Sequence, residues 1–199
     1  MKKTILLPIV AILIAAIVLF GASFGLAGTG AKNAQQAHLT LMQTLLPGST
    51  EFTLEPYSGE DANIVSVHKA ENGFVVETAT YGYVDNIRMF IGVNNDGKVT
   101  GLVVRDMKET FGLGAQGLSD HVFLAQFLNS SGSFEVDTGS HDAFSGATGE
   151  VTESTGETIS VDALTGATVT SKAIVRAVNS AVAYVTGADA SSAATSWGG

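Results

Sequence analysis

The 199-residue chain contains no cysteine, which excludes disulfides, thiolate-held iron–sulfur clusters and a lipid-modified cysteine anchor. Cations are scarce as well. Ten Lys and Arg face nineteen Asp and Glu, and two of the ten are Lys2 and Lys3. Beyond the N-terminal segment eight cations oppose nineteen anions, a net charge of −11. Nucleic acid and anionic membrane surfaces are therefore poor partners for this part of the chain. The four histidines, His38, His68, His121 and His141, show no ligand-like spacing, and no metal site is expected. Nor does the sequence offer the nucleophile and base of a hydrolase. Whatever this protein binds, it holds without thiolates.

What is present begins with an apolar run. From Ile5 to Phe20 there is no charge, and small or apolar residues continue to about Ala27. At about 1.5 Å per residue, roughly 22 residues span about 33 Å, enough for a bilayer core of about 30 Å. Pro8 falls in the first turns, where its missing N–H costs little. The expectation is an uncleaved transmembrane anchor over residues 5–27. The competing reading is a cleaved signal peptide, whose apolar core usually measures only about 7–15 residues. Under the positive-inside rule either reading keeps Lys2 and Lys3 in the cytoplasm and exports the rest. A single span without an ionisable residue cannot itself conduct an ion.

Periodicity then predicts an α+β domain. A helix over Ala31–Leu46 carries Ala34, Ala37, Leu41, Met42 and Leu45 at helical spacing, and Pro47-Gly48 stops it. Strands follow at Ile64–Lys69, Phe74–Tyr83, Ile87–Val93 and Val99–Arg105. Asn72-Gly73 and Asp96-Gly97 supply hairpin turns, so the sheet should be antiparallel. A short helix is expected over Ser119–Leu128, and the Ser/Thr/Gly-rich stretch Asn129–Ser160 reads as a surface loop with at most a short strand at Phe134–Val136. The last helix, Ser171–Val185, has a stripe of Ala173, Ile174, Ala177, Val178, Ala181 and Val182, with Gly187 as its stop. The layout is an N-terminal anchor (residues 1–30), an extracytoplasmic domain (31–187) and a disordered tail (188–199).

One pattern occurs twice. D-x-x-[ST]-G-A-T appears from Asp142 and again, twenty residues on, from Asp162. Small residues before a helix let a ligand approach the backbone, and free N–H groups at a helix start favour a phosphate. The second copy, Thr165-Gly166-Ala167-Thr168, leads through Val169 into the last helix, which Thr170 or Ser171 is placed to cap. In the first copy Gly149 and Glu150 follow Thr148 at once, no helical stripe comes after, and Glu150 would repel a phosphate. Thr148 is the disfavoured copy.

Five segments in order, the N-terminal span, "LLPGS", "GYVDNIRMFIGVNNDGKVTGLVV", "ETFGLGA" and "DALTGATVTSKAIVRAV", resemble the FMN-binding domain family, and within it the G subunits of Rnf-type ion-translocating ferredoxin:NAD oxidoreductases. The resemblance implies an antiparallel-sheet FMN-binding domain with flanking helices. It also implies FMN joined by a flavin transferase, through its phosphate, to Thr168, with Asp162, Thr165, Gly166 and Ala167 as the recognised motif and Val169, Thr170 and Ser171 trailing it. In "ETFGLGA", Glu109 and Thr110 would offer polar atoms to the ring edge, and Gly112 and Gly114, on either side of Leu113, would let the backbone lie close to the ring. Tyr81 and Tyr83 are further candidates for ring contact. The chain departs from the family at Phe111, where proline is usual, and in its longer Ser/Thr-rich stretch. The implied role is a membrane-tethered electron carrier working with other membrane subunits, while NADH or ferredoxin docks on cytoplasmic partners. The C subunit of the sodium-pumping NADH:quinone oxidoreductase shares the domain but tends to be longer. Two other readings are a free-standing tethered flavoprotein and, from a different class, a non-redox module in which T-G-A-T merely starts a helix.

Overall fold

The computed structural model describes residues 30, 32–115, 120–137 and 155–188. The chain divides into two units, Met1–Leu41 and Met42–Gly199. In the first, the described part is the start of helix α1, which runs over residues 32–45. Among the described residues no helix is long and apolar enough to cross a membrane; the apolar run 5–27 lies outside them. So do the tail from residue 189 and the first D-x-x-[ST]-G-A-T copy.

In the second unit α1 closes with Leu46 N–H donating to the Met42 carbonyl at 2.9 Å, and Gly48 turns the chain at φ 87°. A five-stranded meander follows: β1 (Thr53–Glu55), β2 (Ile64–Ala70), β3 (Gly73–Tyr81), β4 (Asn86–Asn94) and β5 (Val99–Asp106), each antiparallel to the next. The strand period of two puts Val76, Thr78 and Thr80 of β3 beside Ile91, Met89 and Ile87 of β4, so one face is uniformly buried. Each fully buried Val or Ile there stabilises the fold by about 1.5–3 kcal/mol relative to an exposed one. On the opposite face Gly92 and Gly101 are register partners, and a Cβ at Gly92 would stand 2.1 Å from the Leu45 carbonyl oxygen. That paired gap seats the end of α1, whose Leu45 carbonyl accepts a 2.6 Å hydrogen bond from Thr100.

Helix α2 (His121–Ala125) starts at Asp120, whose carboxylate caps the N–H groups of Val122 and Phe123. Next come β6 (Ser131–Asp137) and β7 (Thr155–Asp162), paired in parallel, and helix α3 (Thr168–Thr186), ended by Gly187 at φ 69°. Helix α3 packs on β3 and β4 on one side and on β6 on the other, with Ile174, Ala177, Val178 and Ala181 in the shared core. Two polar ties fix it. Thr80 donates to the Ala173 carbonyl at 2.9 Å, and the buried Asn179 amide exchanges two 2.8 Å bonds with the main chain of Phe134.

The α+β fold with an antiparallel sheet and flanking helices is as expected, with corrections. Strand β1 was not anticipated. The stretch Asn129–Ser160, expected as a surface loop, holds β6, longer than Phe134–Val136, and most of β7, which continues to Asp162; Phe134 and Ile159, with Val161 just beyond the stretch, are the buried anchors. Helix α2 is shorter than 119–128, and α3 begins three residues before Ser171.

Candidate functional site

At the end of β7 the main chain of Asp162 is clasped by Gln126: Asp162 N–H donates to Oε1 at 2.8 Å, and Nε2 donates to the Asp162 carbonyl at 3.4 Å. The Asp162 side chain is exposed. Leu164, buried, then opens a four-residue turn closed by Ala167 N–H donating to the Leu164 carbonyl at 2.9 Å. Gly166, in the third position, has φ 70°, a conformation that a side chain resists. Its missing Cβ would lie 3.1 Å from Leu113 Cδ2, so the turn and the 109–115 loop touch there. The buried Ser171 hydroxyl accepts from Leu164 N–H at 2.9 Å and donates to the Ala167 carbonyl at 3.0 Å, fastening the turn from behind.

Helix α3 leaves this turn with no side-chain cap; its N-cap position is Ala167. Neither Thr170 nor Ser171 caps it, because the helix starts earlier and both hydroxyls bond elsewhere. The N–H groups of Thr168, Val169 and Thr170 therefore have no intrahelical acceptor and stand at the positive end of a 19-residue helix. Thr165, Gly166 and Thr168 are exposed, Val169 is half-buried, and Ala167, Thr170 and Ser171 are buried. Thr168 is thus an exposed hydroxyl in the first turn of an uncapped helix.

Glu109 stands beside this turn, half-buried. Its Oε1 accepts from the N–H groups of Tyr83 and Val84, both at 3.0 Å, and its Oε2 accepts from the Thr170 hydroxyl at 2.7 Å. The carboxylate expected to face a ligand edge is engaged by its own chain. Thr110 accepts at its carbonyl from Leu113 N–H at 3.1 Å and Ala115 N–H at 3.2 Å, shaping a turn through Gly112 at φ 76°. Gly114 is needed for a contact within the protein, since its Cβ would stand 2.4 Å from Thr170 Oγ1. Gly112, by contrast, faces open space.

Around the turn lies an apolar fringe. Phe111 is 97% exposed, Tyr83 69%, Val84 50% and Leu113 43%. Tyr81 is exposed at the end of β3, and its carbonyl accepts from Arg176 Nη2 at 2.7 Å; burial pulls the Arg176 guanidinium below its ordinary pKa. In the connection between β3 and β4 the Asn86 N–H, and then Lys108 at 3.4 Å, hold the Asp85 carboxyl below its ordinary value.

The structure thus joins Thr165, Gly166, Ala167, Thr168, Thr170 and Ser171 to Glu109, Leu113 and Gly114. Thr110 and Gly112 belong to the same loop, and Asp162 enters through its main chain. The main-chain donors Tyr83 and Val84 and the clasp by Gln126 escaped the sequence reading; Gly82 between two tyrosines was the available signal for a turn. The run Gly112 to Gly117 satisfies G-x-G-x-x-G in sequence, but β5 before it is antiparallel to β4, so among the described residues it does not follow a strand of a βαβ unit, the setting of a dinucleotide site. Among the described residues no group of three or more His, Asp or Glu is placed to hold a metal.

The sequence profile of one family, described as FMN-binding domain, matches residues 82–183, just over half of the chain. The matched span runs from the Gly82 turn through most of α3 and includes every residue of the site. Comparison with curated protein sequences gives no match.

Proposed function

The chain belongs to the FMN-binding domain family, and on that premise we propose that it is an electron-carrying flavoprotein whose FMN is joined through its phosphate to Thr168. The observation that carries the reading is the exposed Thr168 hydroxyl on the first turn of a long, uncapped helix. The residues present fit the group. Free N–H groups and the helix dipole favour a phosphate there by about 0.3–1 kcal/mol per charge at an exposed terminus. The fringe of Tyr83, Val84, Phe111 and Leu113 offers a flat ring an apolar surface.

The selectivity follows from which hydroxyls are available. Ester formation makes an Oγ1–P bond at Thr168 as the phosphoanhydride P–O bond of the transferase's flavin donor breaks; the donor's other phosphate leaves as a monophosphate, and the Thr168 hydroxyl proton passes to it or to solvent. Thr170 donates to Glu109, and Ser171 bonds Leu164 and Ala167; both are buried and engaged. Thr165 is exposed but lies in the turn before the helix, without a helix start behind it. When bound, FMN supplies the one- or two-electron chemistry, and the protein supplies tether, orientation and electrostatic setting.

For the assembly, the reading is the G subunit of an Rnf-type ion-translocating ferredoxin:NAD oxidoreductase, a single-pass protein with a cytoplasmic N-terminus, an extracytoplasmic FMN domain and partner membrane subunits. The order of the five sequence segments and the apolar run 5–27 support it. A covalent link suits an exported domain, from which a dissociated flavin would be lost.

The test is expression with and without a flavin transferase, followed by in-gel flavin fluorescence after denaturation. Wild type and Thr148→Val should fluoresce and Thr168→Val should be dark. A fluorescent Thr168→Val protein would remove the reading. Co-purification of the full chain with membrane redox subunits tests the assembly, and isolation without any companion would favour the free-standing alternative.

A further inference from the structure

Glu109 has a role that a ring-edge contact does not describe. A carboxylate is an acceptor only, and charge-assisted hydrogen bonds are roughly twice as strong as neutral ones. This one takes three donors from two separate places: Tyr83 and Val84 N–H in the turn between β3 and β4, and the Thr170 hydroxyl in the first turn of α3. Glu109 itself lies in the loop after β5. Both nearby glycines make room for the junction. A Cβ at Gly82 would stand 2.4 Å from Glu109 Oε1, and one at Gly114 would stand 2.4 Å from Thr170 Oγ1 and 3.0 Å from Glu109 Oε2. An ordinary solvated carboxylate has no need of glycines on two neighbouring segments.

We infer that Glu109 is the positioning residue of the site: one carboxylate holds the β3–β4 turn and the 109–115 loop against the start of α3, and so fixes how Thr168 is presented. This rests on Thr168 being the attachment point, and it deepens that reading by naming what holds the acceptor in place. Glu109 acts through Thr170 and the two main-chain donors, not by touching the flavin. Length matters as well as charge. Glutamine keeps an oxygen for Tyr83 and Val84 and an amide N–H for the Thr170 oxygen, whereas alanine keeps neither.

Two readouts on the full-length chain test the inference, one without flavin. In the flavin-free protein, amide hydrogen exchange at Tyr83 and Val84 should be at least about tenfold faster in Glu109→Ala and within about threefold of wild type in Glu109→Gln. With the flavin transferase and its flavin donor present, the initial rate of flavin attachment should fall at least about tenfold in Glu109→Ala and recover in Glu109→Gln. Thr170→Val, which cuts only the bond to α3, should slow attachment while leaving Tyr83 and Val84 protected. Wild-type exchange and attachment in Glu109→Ala would overturn the inference, as would a Glu109→Gln protein no better than Glu109→Ala. If Glu109→Ala does not fold, Thr170→Val decides, and an unchanged attachment rate overturns it. A wild-type chain that accepts no flavin would count against Thr168 itself, while the exchange data would still judge the clamp.

Discussion

Replacing Asn179 with alanine probes the support behind the site. Asn179 is 6% exposed on the flank of α3 that faces β6, and its amide behaves like an extra strand residue. Phe134 N–H donates to Asn179 Oδ1 at 2.8 Å, and Asn179 Nδ2 donates to the Phe134 carbonyl at 2.8 Å. Phe134 is 2% exposed, so water does not readily replace either bond. Truncation leaves one buried donor and one buried acceptor unpaired, each costing about 1–3 kcal/mol. Partial relaxation of β6 should bring the total to about 3 kcal/mol. For a chain of this size about 2–4 °C of Tm accompanies each kcal/mol, so Tm should drop by about 6–12 °C. Reversible urea unfolding followed by tryptophan-independent circular dichroism measures the loss, with an unchanged m-value as the check that the two states are the same. A loss under about 1 kcal/mol would refute the claim that this amide is what joins α3 to the two-stranded ladder. The effect should reach the site, because β7 pairs with β6 and leads directly into the turn before Thr168.

Thr78 faces the core beneath α3, fully buried, with an Oγ1 that has no hydrogen-bond partner among the described residues. Thr78→Val removes that unpaired hydroxyl at nearly constant volume and should stabilise the protein by about 1 kcal/mol in the same urea assay. Tyr184 packs edge-on against Tyr57 and Phe74 and donates to Glu55 Oε2 at 3.4 Å. Burial, and then the Glu55 charge, raise its phenol above the usual value near 10. A raised phenol contributes stability that is fully present below about pH 10, the unfolded value, and is lost as pH rises through the folded one. Ultraviolet titration should show one late tyrosine, and Tyr184→Phe should abolish it and flatten the alkaline loss of stability.

The hairpins were legible because their turns announce themselves. Asn72-Gly73 and Asp96-Gly97 sit between apolar runs; in the structure Asn72 lies in the first turn with Gly73 opening β3, and Asp96 and Gly97 lie in the second. Strand β7 was not legible. Among its described side chains Ile159 and Val161 mark the buried face, and its partner β6 is parallel, so no short turn links the two. The start of α3 is not legible for a related reason: a capping hydroxyl is what marks a helix start in sequence, and this helix has no side-chain cap. At the site the sequence pointed to Thr168 and to "ETFGLGA" as neighbours. It did not show that the Glu109 carboxylate turns inward, because two of its three partners are main-chain N–H groups 25 and 26 positions away. Main-chain donors carry no residue signature.

The most direct test of the central claim is peptide mass spectrometry on the full chain after maturation by a flavin transferase. The account predicts a flavin-phosphate addition that fragmentation assigns to Thr168 within Asp162–Lys172, with Thr165, Thr170 and Ser171 unmodified. An addition on Thr148, or on any other residue with Thr168 left free, would contradict it.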